Sequence, residues 1–598
     1  MGNKLMDMKD ARFTIYDQLK IEELFAYEKF SEYTKEMVDM AIETAEKLAV
    51  NDYYPLNPVG DKTGVHFDNG KAIVPPEFHA AYKKFCDGGW TAPAESYELG
   101  GQQMPTILNY LTQMLFFAAN QSLMVYTCLT HSAGKVVETF GTDEQKAKYL
   151  EPIWNGTWGG CMDLTEPEAG SDVGNIRTKA IPRDDGTFLI KGNKMFISQG
   201  ESDLTENLIH ILLARIEGDP EGTKGLSCFI VPKYRVNKDG SMGALNDVVC
   251  TGIEHKMGMK GSATASLAYG DNNDCIGELI GGRGKGIITM FHMMNEQRIV
   301  VGMEGIAMGS TAYLHALNFA RERKQGVAFG QRTGAQVSII EHPDVRRNLL
   351  VSKAYTEGIR ALLLYAAKCI DMQEITSDEA AKQNYSDLVE ILTPICKSGG
   401  TDRGFDACIT AIQIFGGYGY CQEYYVEQVA RDCKITSIYE GTNGIQANDL
   451  LGRKISMKKG AAFQALINEI QASVAAAKKD SGLSPYAADL EKYLKQFIKI
   501  TDLLRTRQSE NGFLAYSWAT PYLAIAEDLA VAWMLLDQSV VASAKLKTGG
   551  ADADFLTSKI NTAKFFISSI LPQVTGRLDA IEKNDDTFLK LEDKYFID

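Results

Sequence analysis

From residue 16 to residue 50, apolar residues recur at three- and four-residue spacing among Glu and Lys: Ile21, Leu24, Phe25, Phe30, Met37, Met40, Ala41, Ala45 and Leu48. That is the period of an amphipathic helix. A stretch rich in Pro, Gly and Asp follows over 51–75 and reads as a loop, and a shorter helical pattern covers 76–87. Residues 105–134 are strongly apolar, with Leu111, Met114, Leu115, Leu123, Met124, Tyr126 and Cys128. This is the pattern of a buried core helix, which can still present one face to a cavity. Thr142-Asp143-Glu144-Gln145 reads as a helix start, a capping hydroxyl followed by early acids. From about 158 the period changes. Residues 186–192, 208–213, 226–231 and 263–269 are short β-branched or alternating runs bounded by Gly, Asn and Asp, which predicts antiparallel strands up to about 280. Helical period returns at Gly284-Lys285-Gly286, and the long helix that follows carries Gly302, Gly305 and Gly309, small enough for close helix contact. Further amphipathic helices are expected over 460–478, 486–508, 512–546 and 553–580. The pattern therefore predicts an α+β, mainly α chain in four parts: helical 1–157, β 158–281, helical 282–455 and helical 456–598.

Composition narrows the function classes. At 598 residues the chain has room for several domains. Its net charge of -15 argues against general binding to nucleic acid or anionic membrane, while leaving room for a local basic pocket. The 11 Cys are scattered, with no C-x-x-C pair and no Cys/His cluster at metal spacing. The first residues lack the apolar core of a signal peptide, and no uninterrupted apolar run is long enough to span a bilayer. The expectation is a reduced, cytoplasmic protein with no metal and no membrane span.

The stretch with the most chemical character is Ile438-Tyr439-Glu440-Gly441-Thr442-Asn443-Gly444-Ile445-Gln446. It places one carboxylate between an aromatic and a glycine. Gly441 and Gly444 let backbone approach a ligand closely, and Thr442 and Gln446 add hydrogen-bonding side chains. A lone E-G-T is usually a solvated loop. Here it follows Gln413-Ile414-Phe415-Gly416-Gly417-Tyr418-Gly419-Tyr420 and Arg431-Asp432, and the series resembles the C-terminal helical domain of the acyl-CoA dehydrogenase family. The resemblance implies that Glu440 is the catalytic base.

Other motifs extend the resemblance over roughly residues 35–455. Cys161-Met162-Asp163-Leu164-Thr165-Glu166-Pro167-Glu168-Ala169-Gly170-Ser171-Asp172 is similar to the family's T-E-P-x-A-G-S-D signature. That implies FAD as cofactor, with Met162, Leu164 and Thr165 on the isoalloxazine, and Gly170 and Ser171 near the flavin phosphates and the pantetheine arm of the substrate. Lys191-Gly192-Asn193-Lys194-Met195-Phe196-Ile197-Ser198 resembles a flavin-contacting strand and gives Phe196 and Ser198 that role. Residues 254–264 resemble a family strand turn and receive no individual chemistry. In Asn295-Glu296-Gln297-Arg298 the arginine is implied to meet the CoA part of the ligand, with Asn295 and Gly441 also on the substrate side. A few branches carry their base just before that arginine. Here the position is Gln297, which cannot accept a proton, so Glu440 remains the better base. Arg321-Glu322-Arg323-Lys324-Gln325-Gly326-Val327-Ala328-Phe329-Gly330-Gln331 and Glu341-His342-Pro343 resemble a motif that reaches FAD across a dimer interface. By that match Arg323, Phe329, His342, Gln413 and Gly417 would bind the neighbouring subunit's FAD, and Thr442 would add to the cofactor set. An insertion after Lys324 departs from the family pattern and affects Phe329 most.

The resemblance implies the acyl-CoA dehydrogenase fold: a helical domain, a middle β-barrel-like domain and a four-helix bundle, here with an extra C-terminal helical domain. It implies dehydrogenation of an acyl-CoA thioester to the trans-2-enoyl-CoA. Glu440 would take the α-proton, the β-hydrogen would leave as hydride to flavin, and the Glu440 backbone N–H with a ribityl hydroxyl would polarise the thioester. It further implies an electron-transfer flavoprotein as electron acceptor and a homodimer or tetramer. The N-terminal arm and long helical tail are similar to a subgroup that includes 3-methylmercaptopropionyl-CoA dehydrogenases, so a short acyl group is expected. Two rivals share the fold. An acyl-CoA oxidase would pass electrons to oxygen. A DNA-associated, non-catalytic flavoprotein would be expected to carry a basic C-terminal segment, whereas residues 456–598 are roughly balanced in charge.

Overall fold

The computed structural model describes residues 3–549 and 552–596, apart from the side chains of residues 291–293 and 295. The chain forms two compact units, Glu36–Gln297 and the combination of Met1–Lys35 with Arg298–Asp598.

In the first unit, the expected long apolar helix is two helices, Thr106–Ala119 and Gln121–Phe140. The break falls at Asn120, whose extended backbone ends one helix while its side chain caps the next by accepting from the Leu123 N–H at 3.0 Å. Thr142 forms a full capping box with Gln145 at the start of Asp143–Trp154. Residues 51–75, read as a loop, hold a short helix Asn57–Thr63 and a hairpin, His66–Asp68 with Lys71–Ile73.

The main sheet has eight strands. Its order is Val248–Ile253, Thr264–Tyr269, Phe188–Ser198, Ile276–Ile280, Leu226–Pro232, Asn207–Ile216 and Trp158–Asp163, with Lys179–Pro182 branching beside Phe188–Ser198 and Asn207–Ile216. Most pairs are antiparallel, as the pattern predicts. Trp158–Asp163 and Lys179–Pro182 instead pair parallel to Asn207–Ile216. Alternation identifies a strand and its faces but carries no information about the direction of its partner. Gly160 brings the Trp158–Asp163 strand against the Gln121–Phe140 helix; a Cβ there would lie 2.4 Å from that of Ala133. Tyr126 ties the same helix to the turn before Thr264–Tyr269, its hydroxyl accepting from the Ala263 N–H at 2.7 Å and donating to the Gly261 carbonyl at 3.2 Å.

The second unit is helical. Its bundle contains the part of Gly286–Glu322 beyond Gln297, with Pro343–Ile375 and Glu379–Phe415. The expected close helix contact is present: a Cβ on Gly400 would meet the Gly302 carbonyl oxygen at 2.1 Å, and one on Gly404 would meet the Gly305 carbonyl at 2.1 Å. The longer of the extra C-terminal helices are Ala461–Ala477, Ser484–Glu510, Ala519–Lys547, Ala553–Phe565 and Val574–Lys583. The expected helix over 553–580 breaks around Pro572, which has no N–H to continue the ladder. Ala519–Lys547 is the one helix among the described residues long and apolar enough to cross a membrane. It is largely buried and carries Asp528, which accepts from Tyr355, Arg403 and Arg577 at 3.0 Å each, so it is a core helix of this unit.

The N-terminal arm departs from the single helical run expected over 16–50. Lys20 is left-handed, and Ile21–Ala26 and Glu28–Phe30 are tight turns before the helix Lys35–Leu48. Residues three apart also share a face in a 3₁₀ turn, so Ile21 and Leu24 are both buried without forming an α-helix.

Candidate functional site

Glu440 occupies the turn between Lys434–Ser437 and the short helix Asn443–Asp449. Its φ is +54°, and that of Gly441 is +82°. The left-handed region costs a residue with a Cβ about 1–3 kcal/mol, so surrounding contacts have to hold the turn. Thr442 caps the helix by accepting from the Ile445 N–H at 3.3 Å, and the Gln446 amide donates to the Gly441 carbonyl at 3.3 Å. Lys397 donates to Asn443 Oδ1 at 2.8 Å, and Asn443 Nδ2 donates to Thr401 Oγ1 at 3.0 Å, fixing the first helical residue to the long helix Glu379–Phe415. The Tyr439 hydroxyl donates to Glu304 on the other side of the turn.

Glu440 is half-buried as a residue, but its Oε1 is sealed and has no hydrogen-bond partner among the described residues. A sealed acceptor without a donor is costly and calls for an explanation. Burial pushes the Glu440 carboxyl above the ordinary carboxylate range, against the opposing pull of Arg298 and Lys397. Arg298 is itself buried, 3.8 Å from Asp449, and its guanidinium lies 3.7 Å from where a Gly441 Cβ would be. The structure therefore brings Glu440, Gly441, Thr442 and Arg298 together in one unit. The side chain of Asn295 lies outside the described residues.

The other unit holds the second group of expected site residues. Met162 and Leu164 alternate with Cys161 and Asp163, which point to the opposite, fully buried face. There His210 Nδ1 sits 2.9 Å from Asp163 Oδ2 and 3.2 Å from Cys161 Sγ, and the Tyr269 hydroxyl donates to the same carboxylate oxygen. These contacts anchor the strand from behind. Beyond the strand, Glu166 is clamped by Lys194 at 2.8 Å and by the backbone N–H of Thr178 at 3.1 Å, while Lys194 also donates to the Leu164 carbonyl at 3.0 Å. The Thr165 carbonyl accepts from the Met195 N–H at 3.0 Å. Two motifs some thirty positions apart are thus one rigid surface. Phe196 stands on it at φ +58° with 56% of its area exposed, beside half-buried Ser198. Gly170 and Ser171 follow in an exposed turn.

A third group clusters in the helical unit. Arg323 lies over the Tyr418 ring at 5.5 Å and donates to Gln325 Oε1 at 3.3 Å, and a ring nitrogen of His342 is 2.7 Å from the Gln325 carbonyl. Gln413 and Gly417 are exposed at the end of the adjoining helix. Phe329 is 82% exposed in the loop that follows Lys324.

Sequence reading singled out neither Lys397, Asn443 and Glu304 around Glu440 nor the Glu166–Lys194 clamp. Lys397 had a signal, as the only charged residue in 391–401. The others become visible only when distant segments meet.

Four family models match in chain order: "Acyl-CoA dehydrogenase, N-terminal domain" over residues 39–157, "middle domain" over 161–271, "C-terminal domain" over 284–455, and "Acetyl-CoA dehydrogenase C-terminal like" over 466–592. A butyryl-CoA dehydrogenase of Syntrophomonas wolfei is 36% identical over 100% of this chain and 99% of its own. A 3-methylmercaptopropionyl-CoA dehydrogenase of Ruegeria pomeroyi is 35% identical over 97% of this chain and 98% of its own. Among solved structures, an acyl-CoA dehydrogenase from Bacillus anthracis complexed with FAD has the same fold, with a TM-score of 0.74 at 21% identity over 93% of this chain and 90% of its own. The chain, including its C-terminal helices, belongs to the acyl-CoA dehydrogenase family of oxidoreductases.

Proposed function

We propose that the chain dehydrogenates a short acyl-CoA thioester between its α and β carbons, with Glu440 as the base. The observation that carries the reading is the Glu440 carboxylate: held in a strained turn, raised by burial, with Oε1 sealed and without a donor. With no donor at Oε1, the carboxylate's basicity is not lowered by an internal hydrogen bond there. Burial brings its basicity closer to what abstraction from a weak carbon acid needs.

The residues of the strand unit fit FAD. Phe196 offers an exposed aromatic face on a clamped surface, Met162 and Leu164 offer half-buried apolar ones, and Thr165 and Ser198 offer hydroxyls. Gly170 and Ser171 would hold the phosphate end. Arg323, His342, Gln413, Gly417 and Phe329 would bind the cofactor of a second subunit in a homodimer, and Thr442 would complete the set. Bound FAD supplies the acceptor for the β-hydrogen. The chain's own part is to orient the thioester and to take the proton. Arg298, with Asn295, Ser171 and Gly441, would hold the CoA side of the substrate, and the Glu440 carboxylate would accept the α-proton. An electron-transfer flavoprotein is the proposed electron acceptor. The names of the Syntrophomonas and Ruegeria relatives support a short or thioether acyl group as substrate.

The test is anaerobic titration of the purified flavoprotein with a panel of acyl-CoAs, butyryl-CoA and 3-methylmercaptopropionyl-CoA among them. Bleaching of the flavin band by a short member, with reoxidation by electron-transfer flavoprotein and not by oxygen, is expected. A protein that binds FAD but is bleached by no acyl-CoA would overturn the proposal, and rapid reoxidation by oxygen would make it an oxidase.

A further inference from the structure

Two cations bear on the Glu440 carboxylate, and the chemistry above uses only Arg298. The second, Lys397, is fully buried on the helix Glu379–Phe415. Its ammonium donates to a neutral acceptor, Asn443 Oδ1, at 2.8 Å, and no carboxylate lies within ion-pair distance of it among the described residues. A buried ammonium without a paired carboxylate is expensive to keep, and an apolar side chain would suit this stretch of helix better. The cost is explained if the charge is needed. Asn443 immediately follows Glu440-Gly441-Thr442, and it is held from the same helix by Thr401 at 3.0 Å.

We propose that Lys397 is a positioning residue for the base. Through Asn443 it fixes the turn that carries Glu440, and its ammonium favours the ionised, proton-accepting carboxylate. The proposal rests on Glu440 being the base. The charged groups acting on each partner are few. Glu440 is raised by burial and lowered by Arg298 and Lys397. Lys397 is brought down to about 8 by burial; Asp402, Glu440 and Glu304 favour its charged form, and Arg298 opposes it. In the acidic and neutral range the ammonium is therefore present, and it works against the burial of Glu440.

The experiment is the pH profile of kcat/KM for the FAD-loaded enzyme, with the acyl-CoA that bleaches it best, in wild type, Lys397→Gln, Lys397→Arg, Asn443→Ala and Glu440→Gln. Gln keeps a donor toward Asn443 and removes the charge. Its acid limb is expected to move up by about one pH unit. That is about a tenfold loss below the limb, shrinking as pH rises. Lys397→Arg should return the limb to the wild-type position. Asn443→Ala keeps both charges and should lower kcat severalfold without moving the limb. The proposal is overturned if the Lys397→Gln limb coincides with wild type, if the loss is equal at every pH and accompanied by a lower Tm, or if Asn443→Ala leaves kcat unchanged. Failure of the underlying reading looks different: Glu440→Gln would then retain wild-type activity.

Discussion

Glu440 combines three costs that a merely structural carboxylate would avoid: a left-handed backbone, a sealed oxygen with no donor, and loss of hydration. The sum is understandable if the carboxylate's task is to take a substrate proton. The sign of its pH dependence follows. Burial raises the carboxyl, and only the ionised form accepts a proton, so activity rises as pH climbs through that raised value and falls on the acid side. The wild-type acid limb should accordingly lie above the ordinary carboxylate range of about 4. Phe196 shows the same logic in the other unit. A large aromatic at φ +58°, more than half exposed, has no packing reason to be there, and the Glu166–Lys194 clamp beneath it holds the strain.

At the scale of elements, the helix Glu379–Phe415 does two jobs. Gly400 and Gly404 let it touch the backbone of Gly286–Glu322, while Lys397 and Thr401 on the same stretch reach the Asn443 end of the Glu440 turn. Gly400→Ala should therefore affect both stability and rate. The added methyl meets the Gly302 carbonyl at 2.1 Å, closer than any side chain tolerates, so the helices have to separate, at a cost of about 1–3 kcal/mol. Chemical denaturation should show the lower midpoint, and kcat should fall because the Lys397–Asn443 contact moves with the helix. Unchanged stability would mean that the helices are not packed backbone to backbone. Helix existence and the small-residue stripe at 302, 305 and 309 were legible in the sequence, because both leave a local periodic trace. The stripe's partners at 400 and 404 were not, because a helix contact has no signature in the chain other than its two separate halves. The parallel pairing of Trp158–Asp163 escaped for the same reason.

At the scale of the whole chain, changes of period divide the sequence into helical, β, helical and helical parts, while the structure groups it into two compact units. The arm was not readable as a clasp. Asp10 is buried between Arg360 and Lys559, and Lys559 also pairs with Glu357 at 2.8 Å, so three distant segments of one unit share a charge network. Burial alone would raise the Asp10 carboxyl, but Lys559 and Arg360 together hold it well below the usual carboxylate range. A depressed acid stabilises the fold above its unfolded value of about 4 and loses that contribution as pH falls toward its folded value. Asp10→Asn leaves the two cations short of an anion and should cost about 3–5 kcal/mol. The loss should be visible as a lower Tm at neutral pH and should narrow as acid removes the same contribution from wild type. An unchanged Tm would mean that the arm is not latched by this network. Residues that meet across hundreds of positions leave no pattern in either neighbourhood, which is why a motif could mark Glu440 as the candidate base while the groups around it had to come from the fold.

The central claim is that Glu440 takes the proton. It is tested most directly by rapid anaerobic mixing of wild type and Glu440→Gln, at equal FAD occupancy, with the same short acyl-CoA. The expected result is flavin reduction about 10²–10⁴-fold slower in the variant, with FAD still bound. Reduction at the wild-type rate would contradict the claim and move the base elsewhere.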